Sequence, residues 1–269
     1  MNLYRKRKRT WDKMVLGAVW NFWDGEETLS ESVDSIRKHV DFLGVVYQEK
    51  SNFGELRTPD DMRKIKAQFK SLKLEVLHYE PKGRGTQGEI EKRNQALDLC
   101  KAFGCTHLIV MDADEVYDPE KFAQVKADID RYDYHTTCAP MATHYKFRGC
   151  ILDPKEDYYV PLIYKIDDRC FGRCQAFPVV ADPARKLTTA GKHIRRVYVA
   201  DEIEMQHLSF VRSDAESLAR KLRNSSASVN WPDKIPFFIQ QWENHKPGMP
   251  VSLPYRGTEF LRVHQTSHV

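Results

Sequence analysis

The sequence lacks long apolar runs, closely spaced cysteines and a large excess of one charge. Its 269 residues include six cysteines, 42 Lys or Arg and 38 Asp or Glu, which gives a formal net charge of +4. No apolar run approaches the roughly 18–20 residues that cross a bilayer, and no apolar signal segment follows the N-terminus. Scattered cysteines do not indicate a disulfide-stapled secreted domain. We therefore expect a cytoplasmic protein with reduced thiols and one large core.

The chain divides into four stretches by pattern. Residues 1–13 form a basic arm, and in residues 14–130 short apolar runs alternate with helical periodicities. This alternation is typical of a mainly parallel central sheet flanked by helices, in the α/β class. Residues 131–230 contain broken strands and a last amphipathic helix from about 214 to 228, capped by Ser213, whereas residues 231–269 are rich in proline and aromatics. We read the last stretch as a wrapping tail.

Three carboxylates follow the apolar run 107–111 directly. They are Asp112, Asp114 and Glu115, and we expect them at the carboxyl end of a buried strand, where open parallel sheets bind ligands. Carboxylates this close repel one another unless protons or a cation neutralise them. Mn²⁺ and Mg²⁺ suit such oxygen ligands and complete their coordination with phosphate oxygens and water. The pattern therefore predicts a metal with a nucleoside diphosphate.

Two segments carry a family resemblance. Residues 91–97 (EKRNQAL) and 105–115 (CTHLIVMDADE) resemble the arginine-bearing helix, apolar strand and Asp-x-Asp (DxD) motif of GT-A-fold glycosyltransferases of the family 2 type. Residues 19–36 resemble the first strand, turn and helix of that family. The resemblance covers residues 14–130 and implies a GT-A-like Rossmann-type fold. It also implies transfer of a hexosyl or pentosyl group from a nucleoside-diphosphate sugar, with a UDP-sugar favoured, to a hydroxyl acceptor.

The resemblance also assigns residues. Asp114 is expected to ligate Mn²⁺ or Mg²⁺, Asp112 to contact the metal or the donor ribose, and the distant His207 to complete the metal site. Gln48 stands where the family usually has an acidic residue, and its amide could read a base edge. The expected donor-binding residues are Asn21, Gln48, Arg93, Asn94, Asp112, Arg212 and Lys221.

An inverting reaction also needs a base. Residues 131–230 are expected to bind the acceptor, and their carboxylates are the candidates. These are Asp153, Glu156, Asp182, Asp201 and Glu202, with no choice among them from sequence. Because Asp114→Asn relieves local repulsion, we expect this change to remove metal-dependent donor binding and leave the fold stable.

Two other functions fit parts of the sequence. Residues 112–116 also match the aspartate-nucleophile motif of haloacid-dehalogenase-like phosphohydrolases, although three strand-helix units precede the motif here. The basic arm, with a cationic run beside aromatic residues, suits a nucleic-acid-binding protein. Its cations are Arg5, Lys6, Arg7, Lys8 and Arg9. The acceptor of a glycosyltransferase with such an arm could be a hydroxymethylated DNA base, as in phage enzymes, or a glycan precursor.

Overall fold

The computed structural model describes residues 13–172, 178–187, 193–226, 230–253 and 260–265. The basic arm with Arg5 to Arg9 lies outside these ranges. Within them, no helix is both long and apolar enough to cross a bilayer.

The first half alternates strands and helices. In chain order its elements are β1 (Leu16–Phe22), α1 (Glu26–Ile36), a 3₁₀ helix (Arg37–His39), β2 (Phe42–Tyr47), α2 (Pro59–Ser71), β3 (Glu75–His78), α3 (Thr86–Ala102), β4 (His107–Met111), β5 (Glu115–Val116) and α4 (Pro119–Tyr132). Strands β4, β1, β2 and β3 are neighbours in that order, and all pair in parallel. The four strands expected from the apolar runs are present, and their carboxyl ends share one edge of the sheet.

The second half extends the same sheet with both antiparallel and parallel strand pairs. Its elements are β6 (Thr136–Tyr145), β7 (Cys150–Asp153), β8 (Tyr159–Lys165), a 3₁₀ helix (Pro183–Arg185), β9 (Arg195–Val197), β10 (Met205–Phe210), α5 (Ala215–Arg223), a 3₁₀ helix (Pro232–Lys234), α6 (Ile235–Asn244), β11 (Val251–Ser252) and β12 (Phe260–Gln265). Strand β8 pairs antiparallel with both β4 and β6. The α/β class with a central sheet and flanking helices is confirmed. The sheet is mixed, since β6 pairs antiparallel with β8 and in parallel with β9 and β10.

Apolar side chains on both faces of the parallel strands explain why helices cover them. Trp20 and Phe22 of β1 pack in one cluster with Phe69 of α2, while Val19 packs in a second cluster with Leu97 of α3. Full burial of one such side chain stabilises the fold by about 1.5–3 kcal/mol. These packed faces hold the strand ends in fixed relative positions.

Side chains cap the starts of α2, α4 and α5. The cap of α5 and the structure of the C-terminal stretch differ from expectation. Thr58 and Asp118 cap α2 and α4, each before a proline. Helix α5 is capped by Asp214 rather than Ser213, because the Asp214 carboxylate accepts a hydrogen bond from Ser217 N at 2.8 Å, and the helix ends at Arg223. Part of the expected tail forms helix α6, and Phe238 of this helix is buried in a third cluster.

Candidate functional site

A cavity of about 670 Å³ lies at the carboxyl ends of β1, β2 and β4. Small-molecule sites typically measure about 300–1,000 Å³, so this volume suits a substrate of nucleotide size. Of the residues expected from sequence, the cavity is lined by Asn21, Gln48, Arg93, Asp112, Asp114, Glu156, Asp182, His207, Arg212 and Lys221. The fold thus brings together residues from both halves of the chain.

Four other candidates do not line this cavity. Asn94 instead ties α3 to a loop of the second half, because its amide donates to Phe171 O at 3.1 Å and accepts from Phe171 N at 2.8 Å. Asp153 is the last residue of β7. Glu202 forms an ion pair with Arg196, and Asp201 lies in the same turn as Glu202.

Asp114 is buried between two cations. It is 3% exposed, and its Oδ2 accepts hydrogen bonds from Lys221 Nζ at 2.9 Å and Arg212 Nη2 at 3.2 Å. Burial opposes its ionisation, but Lys221, His207 and Arg212 outweigh this and hold the pKa of Asp114 well below its usual range. The expected repulsion is therefore already compensated, so the expectation that Asp114→Asn relieves it does not fit this environment.

His207 reaches Asp114 through strand pairing. Strand β10 pairs antiparallel with β5, so that His207 lies opposite Glu115. His207 Nε2 is 3.9 Å from Asp114 Oδ1, the oxygen that faces away from the two hydrogen bonds. Burial lowers the pKa of His207, which favours the neutral imidazole that ligates metals.

A divalent ion fits this pair only with ligands from a substrate. Within the described ranges, no group of three or more His, Cys, Asp or Glu side chains is placed to hold a metal. Mg²⁺ and Mn²⁺ are commonly held by one or two protein ligands plus substrate phosphates. Asp114 Oδ1 and His207 Nε2 meet this requirement.

The charges along the cavity also favour a cation. Among the described lining residues, carboxylates outnumber Lys and Arg by eight to five. The carboxylates are Asp24, Glu89, Asp112, Asp114, Glu115, Glu156, Asp157 and Asp182, and the cations are Lys92, Arg93, Arg185, Arg212 and Lys221. A nucleoside diphosphate adds further negative charge, so an accompanying divalent cation would reduce the repulsion.

Arg185 is a site residue that the sequence did not indicate. Its guanidinium contacts Asp112 and lies 2.5 Å from Glu115 Oε1, and its Nε is 3.7 Å from Asp182. Burial raises the pKa of Glu115 to about 7, although Arg185 acts in the opposite direction. Arg185 is 73 residues from Asp112, and no local pattern marks this long-range pairing.

Arg212 is held by several carboxylates. Its Nη1 lies 3.3 Å from Asp24 and 3.4 Å from Glu27, while Nη2 contacts Asp114. Asp24 in turn contacts Arg57 at 3.1 Å and Arg220 at 2.7 Å. Arg212 therefore joins the turn before α1 to the segment before α5 and positions Asp114.

The end of the cavity beside β1 and β2 carries unpaired polar atoms. Both amide atoms of Asn21, Gln48 Oε1 and Trp23 Nε1 are buried without a hydrogen-bond partner among the described residues. Gln48 Nε2 donates to Asn52 at 3.2 Å, and Lys92 Nζ donates to Phe22 O at 3.2 Å. Such groups match the mixed donors and acceptors of a nucleobase edge.

Lys92 makes stability depend on pH. Burial lowers its pKa to about 7, with Arg93 acting in the same direction and Asp112 and Glu89 opposing. Between about pH 7 and 10 the folded chain then holds Lys92 neutral while the unfolded chain binds a proton, so this group adds stability as pH rises.

We expect Lys92→Met to remove a rise of about 2–3 kcal/mol in the free energy of unfolding between pH 7 and 9.5. Urea denaturation at both pH values measures it. Lys70→Met, at an exposed lysine of α2, is the matched control. If the free energy of unfolding of Lys92→Met rises as much as that of the wild-type chain, Lys92 is not the cause of the pH dependence.

Comparison with solved structures finds distant likenesses. The crystal structure of S. aureus TarS 1-349 matches with 15% identity over 85% of this chain and 72% of that chain, with a TM-score of 0.42. The structure of TarS 1-349 in complex with UDP-GlcNAc matches with 14% identity over 85% of this chain and 73% of that chain, with a TM-score of 0.40. GalNAc-T7 with UDP, GalNAc and Mn²⁺ matches with 12% identity over 79% of this chain and 48% of that chain, with a TM-score of 0.42.

Sequence comparisons add no relative. No family model matches this chain, and no curated protein matches it.

Proposed function

We propose that this chain is a glycosyltransferase that takes a sugar from a nucleoside diphosphate, with a UDP-sugar as donor and Mn²⁺ or Mg²⁺ as cofactor. The observation that carries the proposal is one cavity that joins unpaired polar groups at β1 and β2 to the Asp114–His207 pair. The first end suits a nucleobase and the second suits a metal-bound diphosphate.

Uracil is the base favoured by the groups at β1 and β2. Its edge presents an acceptor, a donor and an acceptor. The Asn21 amide supplies one donor and one acceptor, and Lys92 supplies a second donor. Gln48 Oε1, also unpaired among the described residues, adds an acceptor for a ribose hydroxyl or a base N–H.

Asp114 and His207 would hold the divalent ion, and the ion when bound would stabilise charge on the leaving diphosphate. Lys221 and Arg93 line the same cavity and can balance phosphate charge through charge-assisted hydrogen bonds. Transfer forms a bond from the acceptor oxygen to the anomeric carbon and breaks the bond to the diphosphate. A carboxylate on the acceptor side takes the hydroxyl proton if the reaction inverts, and Glu156 and Asp182 both line the cavity.

The acceptor side is acidic and aromatic. It is built from the start of β8 and the segment beside it, since Tyr159 N donates to Val180 O at 2.9 Å. Glu156, Asp157 and Asp182 line this side together with Tyr158 and Tyr159. Carboxylates accept hydrogen bonds from sugar hydroxyls and tyrosine rings pack on apolar surface, whereas phosphates would be repelled. This favours a neutral glycan acceptor over a hydroxymethylated DNA base.

The alternative phosphohydrolase reading has no comparable support. Its nucleophile would be Asp112, whose carboxylate is ion-paired with Arg185 and lies 3.8 Å from Arg93. Such pairing weakens a carboxylate as a nucleophile.

UDP release from UDP-sugars tests the proposal. With Mn²⁺ present, a panel of neutral oligosaccharides should include one that accelerates UDP release at least about 10-fold, a difference of about 1.4 kcal/mol in barrier. DNA containing hydroxymethylcytosine should not accelerate it.

Acceleration by DNA alone would contradict the acceptor assignment and leave the donor assignment intact. Absence of UDP release from every UDP-sugar and acceptor, together with absence of nucleotide binding, would contradict the glycosyltransferase proposal. Glu31→Gln, at a residue of α1 that does not line the cavity, is the control variant.

A further inference from the structure

Two cysteines meet where α3 turns into β4. Cys100 lies in the last turn of α3, and Cys105 lies two residues before β4. Cys105 N donates to Cys100 O at 3.0 Å, Gly104 N donates to Lys101 O at 3.0 Å, and Gly104 has a φ of 73°. These two bonds and the left-handed glycine define a Schellman motif, in which the side chains at the positions of Cys100 and Cys105 contact each other.

The sulfur atoms of Cys100 and Cys105 both lie close to Gly17 of β1. A Cβ built on Gly17 would be 2.5 Å from Cys100 Sγ and 2.9 Å from Cys105 Sγ. Both sulfur atoms thus lie beside the same point above Gly17, and neither cysteine is in a disulfide. Gly17 thus leaves the space in which the sulfur atoms can approach.

The two thiols differ in reactivity. Interaction with the neighbouring Cys100 thiol lowers the pKa of Cys105, and the same interaction together with burial raises the pKa of Cys100. Cys105 is 7% exposed, whereas Cys100 is fully buried. Since the thiolate is the nucleophile, Cys105 is the thiol that reacts first with a small oxidant, and Cys100 is the resolving thiol.

We propose that Cys100 and Cys105 are a modification site, a dithiol that closes into an intramolecular disulfide with peroxide as the oxidant. The Cys105 thiolate attacks hydrogen peroxide, forming sulfenic acid and releasing hydroxide. The Cys100 sulfur then attacks the Cys105 sulfur, its proton leaves with the sulfenic hydroxyl as water, and the S–S bond forms. Two thiols are oxidised and one peroxide is reduced.

This disulfide closes at the sheet edge opposite the cavity. Cys105 precedes the first residue of β4, and Asp112 follows the last. Helix α3 carries Lys92 and Arg93 in its middle turns. Closure of the disulfide would link the C-terminal end of this helix to the strand that leads into Asp112. The inference does not depend on the proposed function, and nucleotide binding is expected to survive oxidation.

The sequence provides a clear readout, because Lys101 lies between the two cysteines. Trypsin cleaves after Arg93, Lys101 and Lys121, which places Cys100 in peptide 94–101 and Cys105 in peptide 102–121. The two peptides stay together only if a disulfide joins them. The full-length protein with Cys170→Ser, which removes an exposed thiol, is treated with hydrogen peroxide, quenched with catalase, alkylated in denaturant and digested.

We expect more than half of peptide 94–101 to be recovered linked to peptide 102–121, and dithiothreitol to separate them. The isosteric Cys105→Ser variant should give no linked peptide and leave Cys100 alkylated. Recovery of both peptides alkylated from the oxidised protein, or of Cys100 linked to any other cysteine, would overturn the proposal. A folded Cys105→Ser variant, checked by circular dichroism, keeps this comparison valid.

Discussion

Asp114→Asn should reduce the affinity for UDP in the presence of Mn²⁺ at least about 100-fold and lower the free energy of unfolding by about 3 kcal/mol. Both effects have the same origin. The carboxylate carries Oδ1 toward His207 and holds Lys221 and Arg212 at Oδ2. An amide removes the charge that ligates a metal, takes the carboxylate from the half-buried Lys221 and removes one of the three carboxylates that hold the buried Arg212.

The stability part of this prediction differs from the expectation based on sequence alone, in which the fold stays stable. Neighbouring carboxylates suggested repulsion, but the low pKa of Asp114 means that its surroundings favour the charged form. Urea denaturation and calorimetric titration measure the two effects. Asp34→Asn, on the exposed face of α1, is the control, and unchanged stability in Asp114→Asn would contradict the account.

Arg185→Met should destabilise the protein by about 3–5 kcal/mol, the usual cost of breaking a buried ion pair from one side. Arg185 contacts Asp112 and Glu115, and Glu115 is only 2% exposed. Without the guanidinium, the buried Glu115 carboxylate loses its cation and faces the partly exposed carboxylate of Asp112. Arg63→Met, at a residue whose side chain is 79% exposed, should have little effect.

A double variant separates this mechanism from simple loss of packing. In Arg185→Met with Glu115→Gln, the buried charge is removed together with its partner, so part of the lost stability should return. If the stability lost in the double variant equals the sum of the losses in Arg185→Met and Glu115→Gln, the Arg185–Glu115 pair is not the cause.

The first half of the molecule was largely predictable because its signals are local. The apolar runs of β1, β2 and β4 are short and continuous, and the carboxylates follow the last of them directly. The resemblance added His207, which no periodicity marks. Its position depends on the pairing of β10 with β5, and residue spacing carries no record of that pairing.

The remaining site residues could not be predicted for the same physical reason. Arg185 reaches Asp112 from a 3₁₀ helix that packs against α3, and Lys92 is buried on a helix face that looks polar in sequence. The family motif marks Asn94 for the donor, and the motif does not indicate the contacts of its amide with Phe171. Each of these contacts is long-range and leaves no local pattern in the sequence.

Calorimetric titration of the wild-type chain with UDP, GDP, ADP and CDP, each with Mn²⁺ and with chelator, measures whether the cavity binds a nucleoside diphosphate. We expect UDP to bind with Mn²⁺, chelator to weaken this binding at least about 10-fold, and the other three nucleotides to bind more weakly than UDP. Binding of no nucleotide in the presence of Mn²⁺ would contradict the proposal that the cavity at β1, β2 and β4 is a site for a nucleoside-diphosphate sugar.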